Sequence, residues 1–174
     1  MTLLGKVGAA AALFVIAAVA VGYTKDEGLF NDDVGLAAEA GPGVADIPPA
    51  YLARYRAAAG TCPNLDWALL AAIGKVETNH GRLKAPGVSS GANFAGAAGP
   101  MQFLPATFAG VRKRHPGLGG NLYDPDHAIP AAAHYLCDSG LARGDAYRAI
   151  FAYNHADWYV DKVQAQAAAY RRAA

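Results

Sequence analysis

Apolar residues recur along most of this chain at three- and four-residue intervals, the spacing that lines one face of a helix. Nowhere do they sustain the alternation of a strand. Pro48-Pro49 leads into Tyr51, Leu52 and Tyr55, an amphipathic segment that Gly60 stops. Asp66 is placed to cap a helix from Trp67 to about Asn79, with Gly81 at its C-terminal turn. Pro105 opens another helix, through Phe108 and Val111. Asp124-Pro125 is a cap followed by proline at the first helical position. Pro130 is expected to restart that helix, which runs on through Tyr135 and Leu136 to a stop near Gly140. Gly144-Asp145 opens a segment with Tyr147, Ile150 and Phe151, and Trp158 to Tyr170 forms a last amphipathic helix. The glycine-rich stretch from Arg82 to Pro100 fits neither template. The pattern predicts an all-α domain with long loops.

The first part of the chain reads differently. Lys6 precedes an apolar run from Val7 to Gly22 that ends near Ala18-Val19-Ala20, the layout of a secretory signal. The same run is almost long enough to anchor in a bilayer if left uncut. Residues 1–22 are therefore expected to be a signal peptide or membrane anchor, and either places the remainder outside the cytoplasm. Residues 23–46, rich in Gly, Ala and acidic side chains and broken by Gly41-Pro42-Gly43, read as a flexible linker. The folded domain is expected over residues 47–174.

Charge and cysteine usage narrow the classes further. Lys+Arg number 15 against 14 Asp+Glu, a formal net charge of +1, and the basic groups Arg112-Lys113-Arg114 and Arg171-Arg172 are short and separated. That leaves no footprint for nucleic acid. Cys62 and Cys137 form no closely spaced ligand pair, so zinc is not expected. In an exported chain they are expected to form a disulfide, worth about 4 kcal/mol for so long a loop; in a reducing compartment they would be two buried thiols. No histidine has a partner at helical ligand spacing together with a suitable carboxylate, and Asp124 and Asp126 lack the other ligands of a calcium loop. No metal or cofactor is expected, and a monomer is the simplest expectation.

Three short stretches carry candidate chemistry. Glu77 falls on the helical face of Leu70, Ile73 and Gly74, in the last turn of its helix. The apolar face and the helix dipole both disfavour its ionised form, so a raised pKa is expected. Such a carboxyl group can donate a proton near neutral pH. Gly99-Pro100-Met101-Gln102-Phe103 sets an amide and apolar groups at the edge of the glycine-rich stretch, a combination that suits sugars; it equally suits a packed helix entry. Ala152-Tyr153-Asn154-His155, followed by Trp158-Tyr159-Val160, is an aromatic cluster that could order a sugar ring or simply join two helices.

In this order, Ile73-Gly74-Lys75-Val76-Glu77-Thr78 with Gly81, then Gly99 to Phe103, then Ala152-Tyr153-Asn154 resemble the lytic transglycosylases, and most closely the membrane-bound B type and its actinobacterial relatives. Asn121-Leu122-Tyr123-Asp124-Pro125 and the alanine-rich helix after it also look like that family, so the resemblance spans roughly residues 47–163. It implies a goose-lysozyme-like α domain whose loops line a groove for peptidoglycan glycan strands. Glu77 matches the catalytic glutamate, which serves first as acid and then as base. Met101 and Gln102 match groove positions and Tyr153 and Asn154 match residues beside the catalytic carboxyl. Thr78 and Phe103 complete the substrate-binding set. The resemblance further implies that the muramic acid's own 6-hydroxyl closes a 1,6-anhydro ring, for which one carboxyl group suffices. His80 departs from the apolar or aromatic residue of many relatives and is expected to be a surface histidine.

Two other functions compete. A hydrolytic muramidase needs a second carboxylate to hold water. Asp66 is three helical turns from Glu77, roughly 16 Å along the axis, which leaves Asp157 as the candidate. A non-catalytic wall-binding protein would keep the fold alone.

Overall fold

The computed structural model describes residues 43–174. The expected signal or anchor at 1–22 and almost all of the expected linker lie outside the described residues. Six helices form in the order α1 (Pro49–Ala58), α2 (Trp67–Thr78), α3 (Pro105–Arg114), α4 (Pro125–Ser139), α5 (Ala146–Tyr153) and α6 (Asp157–Arg172), with short 3-10 turns at Val44–Asp46, Ala59–Thr61 and Leu141–Arg143. Among the described residues there is no strand, only one isolated bridge between Ala98 and Phe103. The fold is all-α.

Helix α2 is the centre. Every residue from Ala68 to Gly74 is buried, so it has no solvent face and is covered from all sides, chiefly by α6 and α1. Its many alanines let those helices approach closely. Gly74 is required outright, because a Cβ there would sit 2.0 Å from the Tyr55 hydroxyl. Asp66 caps α2 by accepting from the Leu69 amide, and Asp124 and Asp145 cap α4 and α5 in the same way. Around α2, helix α4 packs on α1, α3 and α5. A disulfide from Cys62, just after the Ala59–Thr61 turn, to Cys137 ties the α1–α2 connection to α4.

Three local features differ from the sequence reading. Helix α4 runs unbroken past Pro130, which lies inside it. The proline is six residues into the helix and removes a single hydrogen bond, to the Asp126 carbonyl, close to the end where such bonds are few anyway. Helix α2 is terminated by Asn79 rather than Gly81: Asn79, His80 and Gly81 are all left-handed, with φ of 51°, 59° and 73°. Asn tolerates this conformation best among residues with a side chain. Third, Val44–Asp46, placed by sequence in the linker, form a 3-10 turn, and Asp46 pairs with Lys75 at 2.6 Å and Arg82 at 3.1 Å. Those last residues belong to the folded unit.

Candidate active site

Glu77 stands one residue before the end of α2, and α6 crosses over it. The phase of α6 that packs inward carries Tyr159, Val160, Val163, Ala167 and Tyr170. That phase brings the Tyr159 hydroxyl to Glu77 Oε1, to which it donates at 2.5 Å. Burial pushes the Glu77 carboxyl up to about 7, against the hydrogen bond from Tyr159 and the positive charge of Lys162, both of which favour the ionised form. Tyr153, at the end of α5, is close enough to feel the same charge: burial first and Glu77 second hold its phenol well above the ordinary range. Its hydroxyl donates to the Met101 carbonyl at 2.8 Å. A glutamic acid and Tyr159 thus meet where α2 and α6 cross, with Tyr153 tying the end of α5 to the 98–103 turn beside them. Tyr159 was not singled out as a site residue from sequence. The available signal was its phase with Val163, Ala167 and Tyr170, which marks the buried face of α6.

The residues expected to touch substrate occupy different stations. Thr78 is buried, donates to the Pro100 carbonyl at 2.6 Å and accepts from the Gly81 amide at 2.8 Å. Met101 is wholly buried, and Phe103 is buried against Phe108, Tyr135 and Tyr153. All three side chains are buried and have little or no area with which to meet a ligand. Gln102, at φ 47°, spends its amide on the loop: Nε2 donates to the Gly99 and Gly87 carbonyls, and Oε1 accepts from Asn93. Asn93 in turn holds the Ala95 and Ala97 amides, so one amide braces the whole glycine-rich turn. Asn154 is buried at the C-cap of α5, between Tyr153 and the start of α6. Asp157 accepts a hydrogen bond from Tyr147 at the exposed corner between α5 and α6.

His80 corrects the expectation of a surface histidine. It is buried, with Nδ1 3.1 Å from the Tyr55 hydroxyl and Nε2 3.0 Å from that of Tyr170. The left-handed turn after Thr78 folds the ring back under α2, which a helix-end rule does not foresee. Burial drives its pKa down to about 4, although Asp46 nearby favours the charged form.

The Glu77 and His80 shifts have opposite consequences for stability. His80 titrates lower in the fold than its ordinary 6.5, so stability falls as the pH drops from about 6.5 toward 4. Glu77 titrates higher than its ordinary 4.5, so stability rises as the pH drops from about 7 toward 4.5. Across that shared window the folded protein holds its proton on Glu77 and the unfolded chain holds it on His80, and the two slopes offset. Replacing Glu77 by Gln leaves His80 unopposed. The variant's stability is expected to rise with pH about 1.4 kcal/mol per unit more steeply than the wild type's between pH 4.5 and 6.5. Burial also lowers His134, which adds the same slope to both proteins and cancels in the comparison. Denaturant titrations at three pH values read the difference; equal slopes would mean that Glu77 is ionised in the fold.

The family model for the transglycosylase SLT domain matches residues 54–174 of this chain. Two solved structures of the Escherichia coli lytic transglycosylase Slt35 are similar to it. The complex with bulgecin A aligns with a TM-score of 0.53 at 15% identity, and the complex with calcium with a TM-score of 0.52 at 16% identity. Each alignment covers 72% of this chain and 75% of the other. At that identity the likeness concerns the fold. No curated protein matches the sequence.

Proposed function

This chain belongs to the transglycosylase SLT domain family of peptidoglycan-cleaving lyases, and we propose that it cuts the bond from N-acetylmuramic acid to N-acetylglucosamine with closure of a 1,6-anhydro ring. Protonated Glu77 gives its proton to the glycosidic oxygen as the bond to the muramic C1 breaks, helped by that sugar's 2-acetamido group. The resulting carboxylate then takes the proton of the 6-hydroxyl as that oxygen bonds to C1, which restores the acid. Every step uses the chain's own groups and the substrate's.

The observation that carries this reading is the Glu77 carboxyl itself, held near neutrality by burial and fixed by Tyr159, with a cation as its charged neighbour. Donation from Tyr159 to Oε1 leaves Oε2 to carry the transferable proton. Asp157, the candidate for holding a hydrolytic water, stands at the exposed corner between α5 and α6 with Tyr147 donating to its Oδ1. Thr78, Met101 and Phe103 support the groove from below, Gln102 shapes its loop, and Tyr153 and Asn154 flank the carboxyl. Residues 1–22 would export or anchor the protein and the residues from 23 up to the Val44–Asp46 turn tether it, so that a monomeric domain beginning at that turn works on the wall outside the cytoplasmic membrane.

Mass spectrometry of fragments released from purified peptidoglycan tests the reaction. Anhydromuramyl ends are the expected result. Hydrated reducing ends would make the enzyme a muramidase, and the absence of any fragment would leave a wall-binding role.

A further inference from the structure

Among the described Phe, Tyr and Trp side chains three are exposed: Phe94, in the glycine-rich loop, and Tyr147 and Trp158, each 50% exposed, at the α5–α6 corner. Neither corner residue is loose. The Tyr147 ring lies nearly parallel to Phe151, at 12° and 6.0 Å, and its hydroxyl is held by Asp157, the residue before Trp158. Trp158 stands edge-on to Tyr159 at 5.9 Å, and Tyr159 donates to Glu77. On α6, Trp158 and Lys162 are one turn apart and so share a face. The exposed indole therefore stands against the tyrosine that holds Glu77.

We propose that Trp158, with Tyr147 stacked on Phe151 beside it, is a platform for N-acetylated sugar rings of the glycan strand, extending the site beyond the bond that is cut. The proposal rests on the reading of Glu77 given above. Its chemistry is that of an amphipathic ring: flat, rigid aromatic faces meet the C–H face of a pyranose, while acceptors at the rim take its hydroxyl protons. The rim acceptors are Asp157 and Asp161, both exposed and both acting on Tyr147. An apolar protein partner would have no use for two carboxylates at the edge of the patch, and a sugar does.

The test uses the full chain carrying Glu77→Gln, so that bound strands stay intact, titrated with the tetramer and hexamer of N-acetylglucosamine. Adding Trp158→Ala is expected to weaken hexamer binding about tenfold, and Trp158→Phe, which keeps a flat ring, to weaken it far less. Tyr147→Ala, which removes the ring on α5 and leaves Trp158 in place, gives an independent loss. Indole emission should change on saturation in the parent and not in Trp158→Phe, which leaves only Trp67. Hexamer binding unaltered by both Trp158→Ala and Tyr147→Ala overturns the platform. Binding that depends on Trp158 in a protein that releases no anhydro ends would instead keep the platform and remove the proposed reaction.

Discussion

Glu77→Gln is expected to lower the release of peptidoglycan fragments at least about a thousandfold, toward the upper end of what a positioned acid and base supply. The amide keeps the shape of the side chain, and its oxygen still accepts from Tyr159, so the loss should not come with unfolding. Above neutral pH the variant should be the more stable protein, since it no longer ionises a buried carboxyl. The wild type has its own signature: a general acid that titrates at about 7 stops working as the pH rises through that value. Activity measured from pH 5 to 9 should therefore fall on the alkaline side, with the variant flat and near background. Fragment release by a folded Glu77→Gln protein at wild-type rate would remove Glu77 from the reaction.

Replacing Cys62 and Cys137 together by Ser is expected to cost about 4 kcal/mol, the second large effect. The bond closes a loop with a sequence separation of 75 residues, and in the chain-entropy account such a loop removes much of the unfolded chain's freedom. That is a large share of the 5–15 kcal/mol that an ordinary domain possesses. Thermal unfolding with and without reductant, beside the double Ser variant, measures it. The reduced wild type and the variant should agree; a variant as stable as the oxidised protein would mean that the cross-link contributes nothing to folding.

What the sequence disclosed, and what it withheld, divides along the range of the interactions. Helix positions rest on local signals, and the caps Asp66, Asp124 and Asp145 and the prolines at 49, 105 and 125 all stand where their chemistry requires. Glu77 was legible for the same reason, since its apolar face and its place in the last turn are both local. Tyr159 was not, because its meeting with Glu77 depends on the register between α2 and α6. His80 was misjudged because three successive left-handed residues fold it under the helix instead of away from it. Thr78, Met101 and Phe103 illustrate a further limit: a residue can sit beside a site in sequence and motif while its side chain points into the core.

The brace made by Gln102 has a consequence for how the site can change over time. Its partners Gly87, Asn93 and Gly99 all come from the same short stretch of chain, and that stretch is tied to the rest at its root, from Thr78 to Pro100 and from Tyr153 to Met101, and at its tip, from Tyr123 to the Gly91 carbonyl. One wall of the candidate site is thus written in a single contiguous passage, pinned at its root and at its tip. It is a cassette with one outside clasp: exchange of the passage as a unit has to keep an acceptor for Tyr123, while the helices around Glu77 keep their places.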